Sequence, residues 1–291
     1  MEELHKPVLL SEVLEVLKPR PGESYLDLTA GFGGHASEVL DLTQNYKDSV
    51  LVDRDQVAME YLKGKYESEP LGFVNKDFYS AMLEFVDCGK KFDMILADFG
   101  VSSPQLDQAE RGFSFLRDGR LDMRMDRTQE LTASRVVNRY PEGKLAEIFE
   151  RYGEERPGNA KRLAREIVHN RPFETTMELS EFIRRHSRYS KTHPATKIFQ
   201  AIRIEVNDEL SIIEKTLPLI PKVLNPGGRV AIITFHSLED RLVKQFFRSA
   251  SSFGEESELS ILTEKPIVAG EMELLSNPRS RSAKLRAAQR N

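Results

Sequence analysis

The stretch "LTAGFGGH" at residues 28–35 lies between an apolar run and a helical pattern, and it decides the fold of this chain. Its glycines, Gly31, Gly33 and Gly34, leave the backbone open, so that a flat or charged ligand can approach closely. With Ala36, the spacing also fits the G-x-G-x-x-G/A fingerprint of dinucleotide-binding folds. The stretch predicts a strand, a tight turn and a helix with a ligand at the turn; a turn that binds nothing is the alternative.

Strand and helix patterns alternate on both sides of this turn, up to residue 100. An opening helix is predicted at 8–17, from apolar residues at helical spacing. The predicted strands are 24–29, 49–53, 71–75 and 92–100, and the helices between them are 34–42, 56–66 and 80–86. Such alternation implies right-handed crossovers and a mostly parallel sheet. We therefore expect an α/β protein.

The alternation stops at residue 105 and resumes near residue 200, with an arginine-rich helical pattern between. The predicted elements after it are a helix at 207–224, a turn at 225–228, a buried strand at 229–235, and closing edge strands at 259–267 and 282–290. We expect one sheet domain in two parts, 1–105 and 200–291, with an inserted helical subdomain for substrate recognition at 106–199.

The chain of 291 residues contains one cysteine, Cys88. An intramolecular disulfide and a cysteine metal cluster are therefore excluded, and the histidines show no metal-ligand spacing, so no metal is expected. The apolar runs are far shorter than the roughly 20 residues of a membrane helix. Residues 1–20 do not resemble a secretion signal. These features predict a soluble, cytoplasmic protein with no membrane partner.

Charge is distributed unevenly along the chain, although the net charge is only −4. Residues 106–200 hold 19 Lys and Arg against 15 Asp and Glu, and the last sixteen residues hold five basic groups and no acid. Basic segments on an acidic body are typical of contacts with phosphate, although a solvated helical surface gives the same pattern. A non-catalytic RNA-binding assembly factor is one function that fits.

Four aspartates lie at or directly after the carboxyl ends of the predicted strands, and so they are expected along one edge of the sheet. They are Asp27, Asp53, Asp77 and Asp98. Asp53 comes twenty residues after Gly33, where an acid can accept both ribose hydroxyls of an adenosine ligand. A nicotinamide-dependent oxidoreductase fits this spacing. A carboxylate beside the glycine turn would repel a pyrophosphate but attract a sulfonium and an ammonium group, which favours S-adenosylmethionine.

Several longer motifs resemble one known family. They are "HKPVLL" (5–10), "DLTAGFGGH" (27–35), "VDRD" (52–55), "DFGVSSPQLDQAERGFSF" (98–115), "LDMRMD" (121–126), "YGEER" (152–156), "HPATKIFQAIRIEVNDEL" (193–210), "NPGGR" (225–229), "FHSLEDR" (235–241) and "NPRSRSAKLR" (277–286). Together they resemble the S-adenosylmethionine-dependent methyltransferases that modify N4 of a cytosine, position 1402, in bacterial 16S ribosomal RNA.

The resemblance implies a Rossmann-like class I methyltransferase fold and a partner, 16S rRNA within the small ribosomal subunit. It also implies a cofactor site for S-adenosylmethionine, carried over by position. The matching residues are Gly33, Gly34 and His35 at the methionine end, Asp53 at the ribose, Phe78 beside the adenine, and Asp98 and Gln105 flanking the transferred methyl group.

Methylation of an exocyclic amine needs an acceptor for the N–H, because the nitrogen lone pair is delocalised into the ring. Asp98, at the end of the fourth predicted strand, is the candidate catalytic residue; Ser102, Ser103 and the backbone around Gly100 are alternatives. Methylation of a ring carbon would require a cysteine nucleophile. Cys88 precedes the fourth strand instead of following it, which disfavours that reaction.

A cytosine within structured RNA must be splayed out, and aromatic stacking commonly stabilises the exposed base. Phe99, Phe113 and Phe115 are candidates for stacking, although each is equally typical of a core. His236 is a candidate RNA contact, while Ser237 with Asp240 is typical of a capping box. The candidate phosphate contacts are Arg184, Arg185 and Arg188 in the insert, and Arg279, Arg281 and Lys284 near the end of the chain.

Overall fold

The computed structural model of the chain describes residues 7–101, 103–187, 193–252 and 257–291. The chain divides into two compact units, of which unit 1 comprises Met1–Gly100 and Leu210–Asn291, and unit 2 comprises Val101–Glu209. The sequence placed the second boundary at 199, within the helix Ala195–Asn207. That boundary was too early because the apolar pattern of this helix continues to its end.

Unit 1 is built on one seven-stranded sheet. The strands are β1 (Tyr25–Asp27), β2 (Val50–Val52), β3 (Gly72–Val74), β4 (Phe92–Asp98), β5 (Leu224–Thr234), β6 (Leu259–Ile261) and β7 (Lys284–Arg290). Their order is β3-β2-β1-β4-β5-β7-β6, with β1 to β5 parallel and β7 antiparallel to both of its neighbours. The predicted α/β class with a mostly parallel sheet is confirmed. Of the two predicted edge strands, β6 is at the edge and β7 lies inside the sheet.

Helices connect these strands and cover the sheet. They are α1 (Leu10–Leu17), α2 (Gly34–Thr43), α3 (Gln56–Lys65), α4 (Phe78–Cys88), and, after unit 2, α12 (Ile220–Val223), α13 (Ser237–Ala250) and α14 (Glu271–Ser276). Alternate strand residues belong to different cores: Tyr25 and Met94 pack in one cluster, and Leu26 and Ile95 in the other. Because side chains alternate across a strand, the sheet is buried on both faces. This explains the nearly continuous apolar runs of the strands.

Two predicted segments near unit 2 differ in detail. The predicted helix at 207–224 is divided into α11 (Glu209–Thr216), a 3-10 turn (Leu217–Leu219) and α12, because Pro218 lacks the N–H that would continue an α-helix. The predicted turn at 225–228 lies within β5. Its residues bulge out of the ladder, since Phe92 pairs with Leu224 and Met94 with Arg229.

Unit 2 is helical, as expected for the insert. Its helices are α5 (Ser103–Asp107), α6 (Ala133–Arg139), α7 (Glu142–Arg151), α8 (Pro157–His169), α9 (Thr176–His186) and α10 (Ala195–Asn207), with a 3-10 turn at Ala109–Arg111. The unit has its own core, with Phe149, Ile167 and Ile202 among its fully buried side chains. In the described parts of the chain, no helix combines the length and apolar character that crossing a bilayer requires.

Candidate active site

Three of the four expected carboxylates lie together where adjacent parallel strands end. Asp27 is the last residue of β1, Asp98 is the last residue of β4, and Asp53 directly follows β2. The sheet order β2-β1-β4 makes these strands neighbours. We call Asp27, Asp53 and Asp98 the acidic edge. Ligands of open α/β sheets bind at this edge.

The glycine turn connects β1 with α2, next to the acidic edge. Gly31 and Gly33 have φ of 50° and 78°, in the left-handed region that favours glycine, and α2 begins at Gly34. A Cβ on Gly33 would lie 2.7 Å from Leu62 Cδ2, and one on Gly34 would lie 2.8 Å from Pro7 Cγ. The backbone conformation therefore requires glycine at position 33, and an added Cβ would also displace the end of the Leu62 side chain.

Asp53 fixes the position of the glycine turn. Its Oδ2 accepts a hydrogen bond from the backbone N–H of Gly31 at 2.7 Å, and its Oδ1 accepts one from Asp55 at 2.8 Å. Burial raises the pKa of Asp53 to about 6, although these two hydrogen bonds favour the ionised form. Each carboxylate oxygen has a second lone pair, so the group can also accept hydroxyl donors from a ligand.

Asp27 is almost fully buried, with 1% of its surface exposed. The Tyr25 hydroxyl donates to its Oδ2 at 2.8 Å, and the Thr29 N–H donates to its Oδ1 at 3.0 Å. Burial raises the pKa of Asp27 to about 7, against the effect of both hydrogen bonds. No cation among the described residues is paired with this carboxylate.

Asp98 is the least satisfied member of the acidic edge. Its backbone N–H donates to the Thr29 hydroxyl at 2.6 Å, but its buried Oδ1 has no hydrogen-bond partner among the described residues. Burial, together with the charges of Asp27 and Glu239, raises the pKa of Asp98 well above its ordinary value. A positively charged ligand at this edge would offset both the burial and the repulsion.

His35 lies beside Asp98 in the first turn of α2. Its Nε2 is 2.9 Å from the Val8 carbonyl oxygen, which can only accept, so Nε2 carries the hydrogen. Its Nδ1 is 3.9 Å from Asp98 Oδ2. His35 thus connects the chain before α1 to the acidic edge.

Asp77, the fourth expected carboxylate, has a structural role. It is the N-cap of α4, and its two oxygens accept hydrogen bonds from the Ser80 N–H at 3.0 Å and the Ser80 hydroxyl at 2.6 Å. Phe78 follows it, and its ring centroid lies 5.3 Å from that of Phe99. Phe99 is 3% exposed and belongs to the core, which disfavours a base-stacking role for it.

The cap of α13 is His236, and the sequence placed it one residue too late, at Ser237. His236 Nδ1 accepts from the Glu239 N–H at 3.4 Å, and Glu239 Oε2 accepts from the N–H groups of Phe235 and His236 at 2.8 and 3.2 Å. Sequence reasoning missed Glu239, although an acid three residues after a cap is the signal of a capping box. Asp240 instead pairs with Arg286.

The remaining candidate residues lie in unit 2, with different degrees of exposure. Gln105 is buried on α5, and Phe113 is buried in the core of unit 2, so it presents no exposed face to a base. Arg184 and Arg185 are exposed on α9, where Arg185 pairs with Glu181 at 2.9 Å. Ser102 and Arg188, and the side chain of Ser103, lie outside the described residues.

An aromatic pair in unit 2 was not predicted. The partly buried ring of Phe115 stacks on the exposed imidazole of His193, with centroids 4.8 Å apart and planes 29° apart, and the ring edge packs on Phe199. The sequence indicated both residues separately, but only the fold of unit 2 brings them into contact, because they are far apart along the chain.

The open backbone of the glycine turn lets a ligand approach closely, and the carboxylates of the acidic edge attract positive charge. Both features suit a ligand with a nucleoside and a cationic end. Asp98 Oδ1, buried without a partner, fits such a cation. Fold and site thus define the class of Rossmann-like methyltransferases that use S-adenosylmethionine.

Comparison with known proteins gives the family. A model of the MraW methylase family matches residues 2–291, and the chain belongs to this family. The "Ribosomal RNA small subunit methyltransferase H" of Trichormus variabilis is 49% identical over 292 residues, which covers 98% of this chain and 92% of the relative. The protein of the same name from Nostoc punctiforme is 48% identical over 300 residues, and the match covers 100% of this chain and 96% of the relative.

Among solved structures, TrmN from Thermus thermophilus is similar with a TM-score of 0.46 at 12% identity, covering 97% of this chain and 48% of that one. The family confirms the predicted resemblance and the choice of S-adenosylmethionine as cofactor. The two alternatives, a nicotinamide-dependent oxidoreductase and a non-catalytic assembly factor, are therefore set aside.

Proposed function

We propose that this chain transfers the methyl group of S-adenosylmethionine to N4 of a cytosine in 16S ribosomal RNA of the small ribosomal subunit. Two observations support the substrate: the names of the relatives, and the exposed arginines of unit 2. Cytosine 1402 and a cytoplasmic location are parts of the same proposal. The observation that carries the chemistry is the buried, unpartnered Oδ1 of Asp98 at the ligand-binding edge.

The cofactor, when bound, supplies a methyl group that leaves a positively charged sulfur. The glycine turn at Gly33 and Gly34 and the neighbouring His35 would hold its methionine end. Asp53 would accept the ribose hydroxyls with the lone pairs that Gly31 and Asp55 leave open. Phe78, packed on Phe99, would offer an apolar surface to the adenine.

Asp98 would accept the N4–H of the cytosine, so that the nitrogen lone pair becomes available for attack. Its raised pKa makes the ionised carboxylate a stronger base, while a cation beside it offsets the repulsion from Asp27. Thr29 fixes the end of β4 through its contact with the Asp98 N–H. This arrangement positions the acceptor before the base arrives, which supplies much of the acceleration in a transfer reaction.

Unit 2 would contribute contacts with RNA. Arg184 and Arg185 are exposed on one helix and can contact phosphates. Phe115 and His193 form a stacked pair whose imidazole is exposed, and aromatic rings are typical platforms for unstacked bases. Gln105 remains a proposed contact beside the methyl group.

The test is mass spectrometry of nucleosides from small ribosomal subunits that lack the modification, after incubation with the protein and S-adenosylmethionine. We expect N4-methylcytidine. Asp98→Asn should reduce the rate at least about 100-fold, as for loss of a general base, and change the cofactor affinity much less. The exposed Asp48→Asn is the matched control.

The outcomes separate the claims. Transfer to a ring carbon, or no transfer to any subunit preparation, would refute the proposed function. N4-methylcytidine formed by Asp98→Asn at the wild-type rate would refute only the role of Asp98. The backbone around Gly100 and the hydroxyls of Ser102 and Ser103 would then be the next acceptors to test.

A further inference from the structure

A pocket of unit 1, of about 290 Å³, opens at the carboxyl end of β5. On one side it is lined by Phe235, His236 and Ser237, and on the other by Arg281, Ser282 and Lys284. None of these residues belongs to the acidic edge or the glycine turn. Cofactor and drug pockets typically measure about 300 to 1,000 Å³. At about 290 Å³, this pocket lies at the small end of that range and admits a small group.

The charge around the pocket is positive. The side chain of Arg281 is exposed and forms no ion pair within the described ranges of the chain. Lys284 Nζ lies 3.2 Å from Asp240 Oδ2, but this carboxylate is shared with Arg286, whose Nε lies 2.6 Å from Oδ1. Asp240 thus faces two bases, and Arg281 adds a third, so three bases stand against the two acids Asp240 and Glu239.

His236 and Ser237, at the start of α13, also line the pocket. The side chain of His236 is only 8% exposed, and its Nε2 has no hydrogen-bond partner in the described part of the molecule, although Glu239 Oε1 lies 3.1 Å away. The pocket also lies at the start of the fourteen-residue helix α13. The first N–H groups of a helix point outward and favour an anion. The start of α13 and the exposed guanidinium of Arg281 therefore meet at this pocket, while the buried His236 Nε2 lies against Glu239.

The pocket lies next to Asp98, at the carboxyl ends of the parallel strands. Asp98 pairs with Ile233 in the ladder between β4 and β5, and the pocket begins two residues later, at Phe235. A Cβ on Gly100 would lie 3.1 Å from Phe235 Cδ2, so this ring packs against the segment that follows Asp98. Neighbouring strands are about 4.8 Å apart. The pocket is therefore within reach of the backbone of a nucleotide whose base is at Asp98.

We propose that this pocket binds a backbone phosphate of the substrate RNA adjacent to the methylated cytosine, with Arg281 as the main contact. The proposal rests on the proposed function. A planar guanidinium offers two parallel N–H donors to the oxygens of a phosphate, and the volume admits a phosphate with part of its sugar. Binding here would hold the nucleotide while its base is splayed toward Asp98.

The experiment compares Arg281→Ala, Arg281→Lys and Ser282→Glu with the wild type. Arg20→Ala is the matched control, because Arg20 is an exposed arginine that precedes β1 and so lies toward the opposite edge of the sheet. The substrate is the unmethylated small ribosomal subunit. For each protein, the KM for subunits is measured at several KCl concentrations, together with the KM for S-adenosylmethionine and the Tm.

We expect Arg281→Ala to raise the KM for subunits about tenfold, and to reduce the slope of log KM against log salt by about 0.7 to 0.9, the value for one phosphate contact. Arg281→Lys should restore the slope but not the full affinity, because a lysine ammonium cannot offer the two parallel N–H donors of a guanidinium. Ser282→Glu should raise the KM for subunits further by repelling the phosphate. The KM for S-adenosylmethionine and the Tm should stay unchanged.

An unchanged KM and salt slope in Arg281→Ala would overturn the proposal, and so would an equal effect of Arg20→Ala, which would indicate diffuse attraction. If the wild type transfers no methyl group, the proposed function fails. Filter binding of the same subunits then still tests the pocket: retained affinity in both Arg281→Ala and Ser282→Glu would refute it.

Discussion

Replacing Asp27 by Asn should stabilise the ligand-free protein at neutral and basic pH. The Asp27 side chain is buried, and burial raises its pKa from 3.8 to about 7. Between these values the folded chain keeps a proton that the unfolded chain releases. The free energy of unfolding therefore falls as pH rises from about 4 to about 7, and it is constant above that range as far as this group is concerned.

The size of the effect follows from the shift in pKa. One pKa unit corresponds to 1.36 kcal/mol, so the full shift at Asp27 costs on the order of 4 kcal/mol above pH 7. About two of these units lie between pH 5 and pH 8, which corresponds to roughly 3 kcal/mol. Asn does not titrate. Its amide oxygen can still accept from the Thr29 N–H, and its NH₂ can donate to the Tyr25 hydroxyl.

The assay is urea unfolding of the wild type, Asp27→Asn and the exposed control Asp48→Asn at about pH 5 and about pH 8, without cofactor. The difference in unfolding free energy between Asp27→Asn and the wild type should grow by roughly 3 kcal/mol with pH, because groups that do not interact with Asp27 cancel. The pKa of Asp98 falls when the Asp27 charge is removed, which acts in the same direction. For Asp48→Asn it should stay near zero.

The same substitution should weaken the binding of S-adenosylmethionine at pH 8, since the cation then loses an ionised partner. In the wild type, affinity for S-adenosylmethionine should rise with pH through about 7, and affinity for S-adenosylhomocysteine, which lacks the sulfonium charge, should rise less. If the unfolding free energies of Asp27→Asn and the wild type change equally with pH, the reasoning is refuted, because the ionisation of Asp27 would then not destabilise the folded protein.

Asp53→Ala should weaken S-adenosylmethionine binding by about 1 to 3 kcal/mol, the usual value of charged hydrogen bonds. An unchanged Kd, measured by calorimetry, would contradict this prediction. Gly33→Ala should destabilise the protein by about 1 to 3 kcal/mol, because alanine is strained at this φ and its Cβ would meet Leu62; an unchanged Tm would argue against the strain. His236→Ala should cost about 0.5 to 2 kcal/mol of stability through loss of the cap of α13, whereas His236→Asn should recover most of it, as thermal unfolding would show.

Most elements of unit 1 could be predicted from sequence because their signals are local. The alternation of apolar strand runs with helical patterns predicts β1 to β4 and the helices between them. Gly33 has the left-handed conformation that the glycine turn requires. The boundary of unit 2 at 209 could not be predicted in the same way. It depends on which core α10 packs into, and an amphipathic pattern does not specify the partner of its apolar face.

The roles of the four aspartates show the same limit. By itself, the sequence determined that carboxylates lie at or just after the carboxyl ends of four strands of a parallel sheet, because strand direction fixes which ends share an edge. Asp77 caps α4 through a local contact with Ser80, whereas only the tertiary structure decided that Asp27 and Asp98 are buried with raised pKa values. Burial and the distances between charges arise from contacts between residues far apart in sequence, such as Thr29 with Asp98, and these contacts determine the electrostatics of the site.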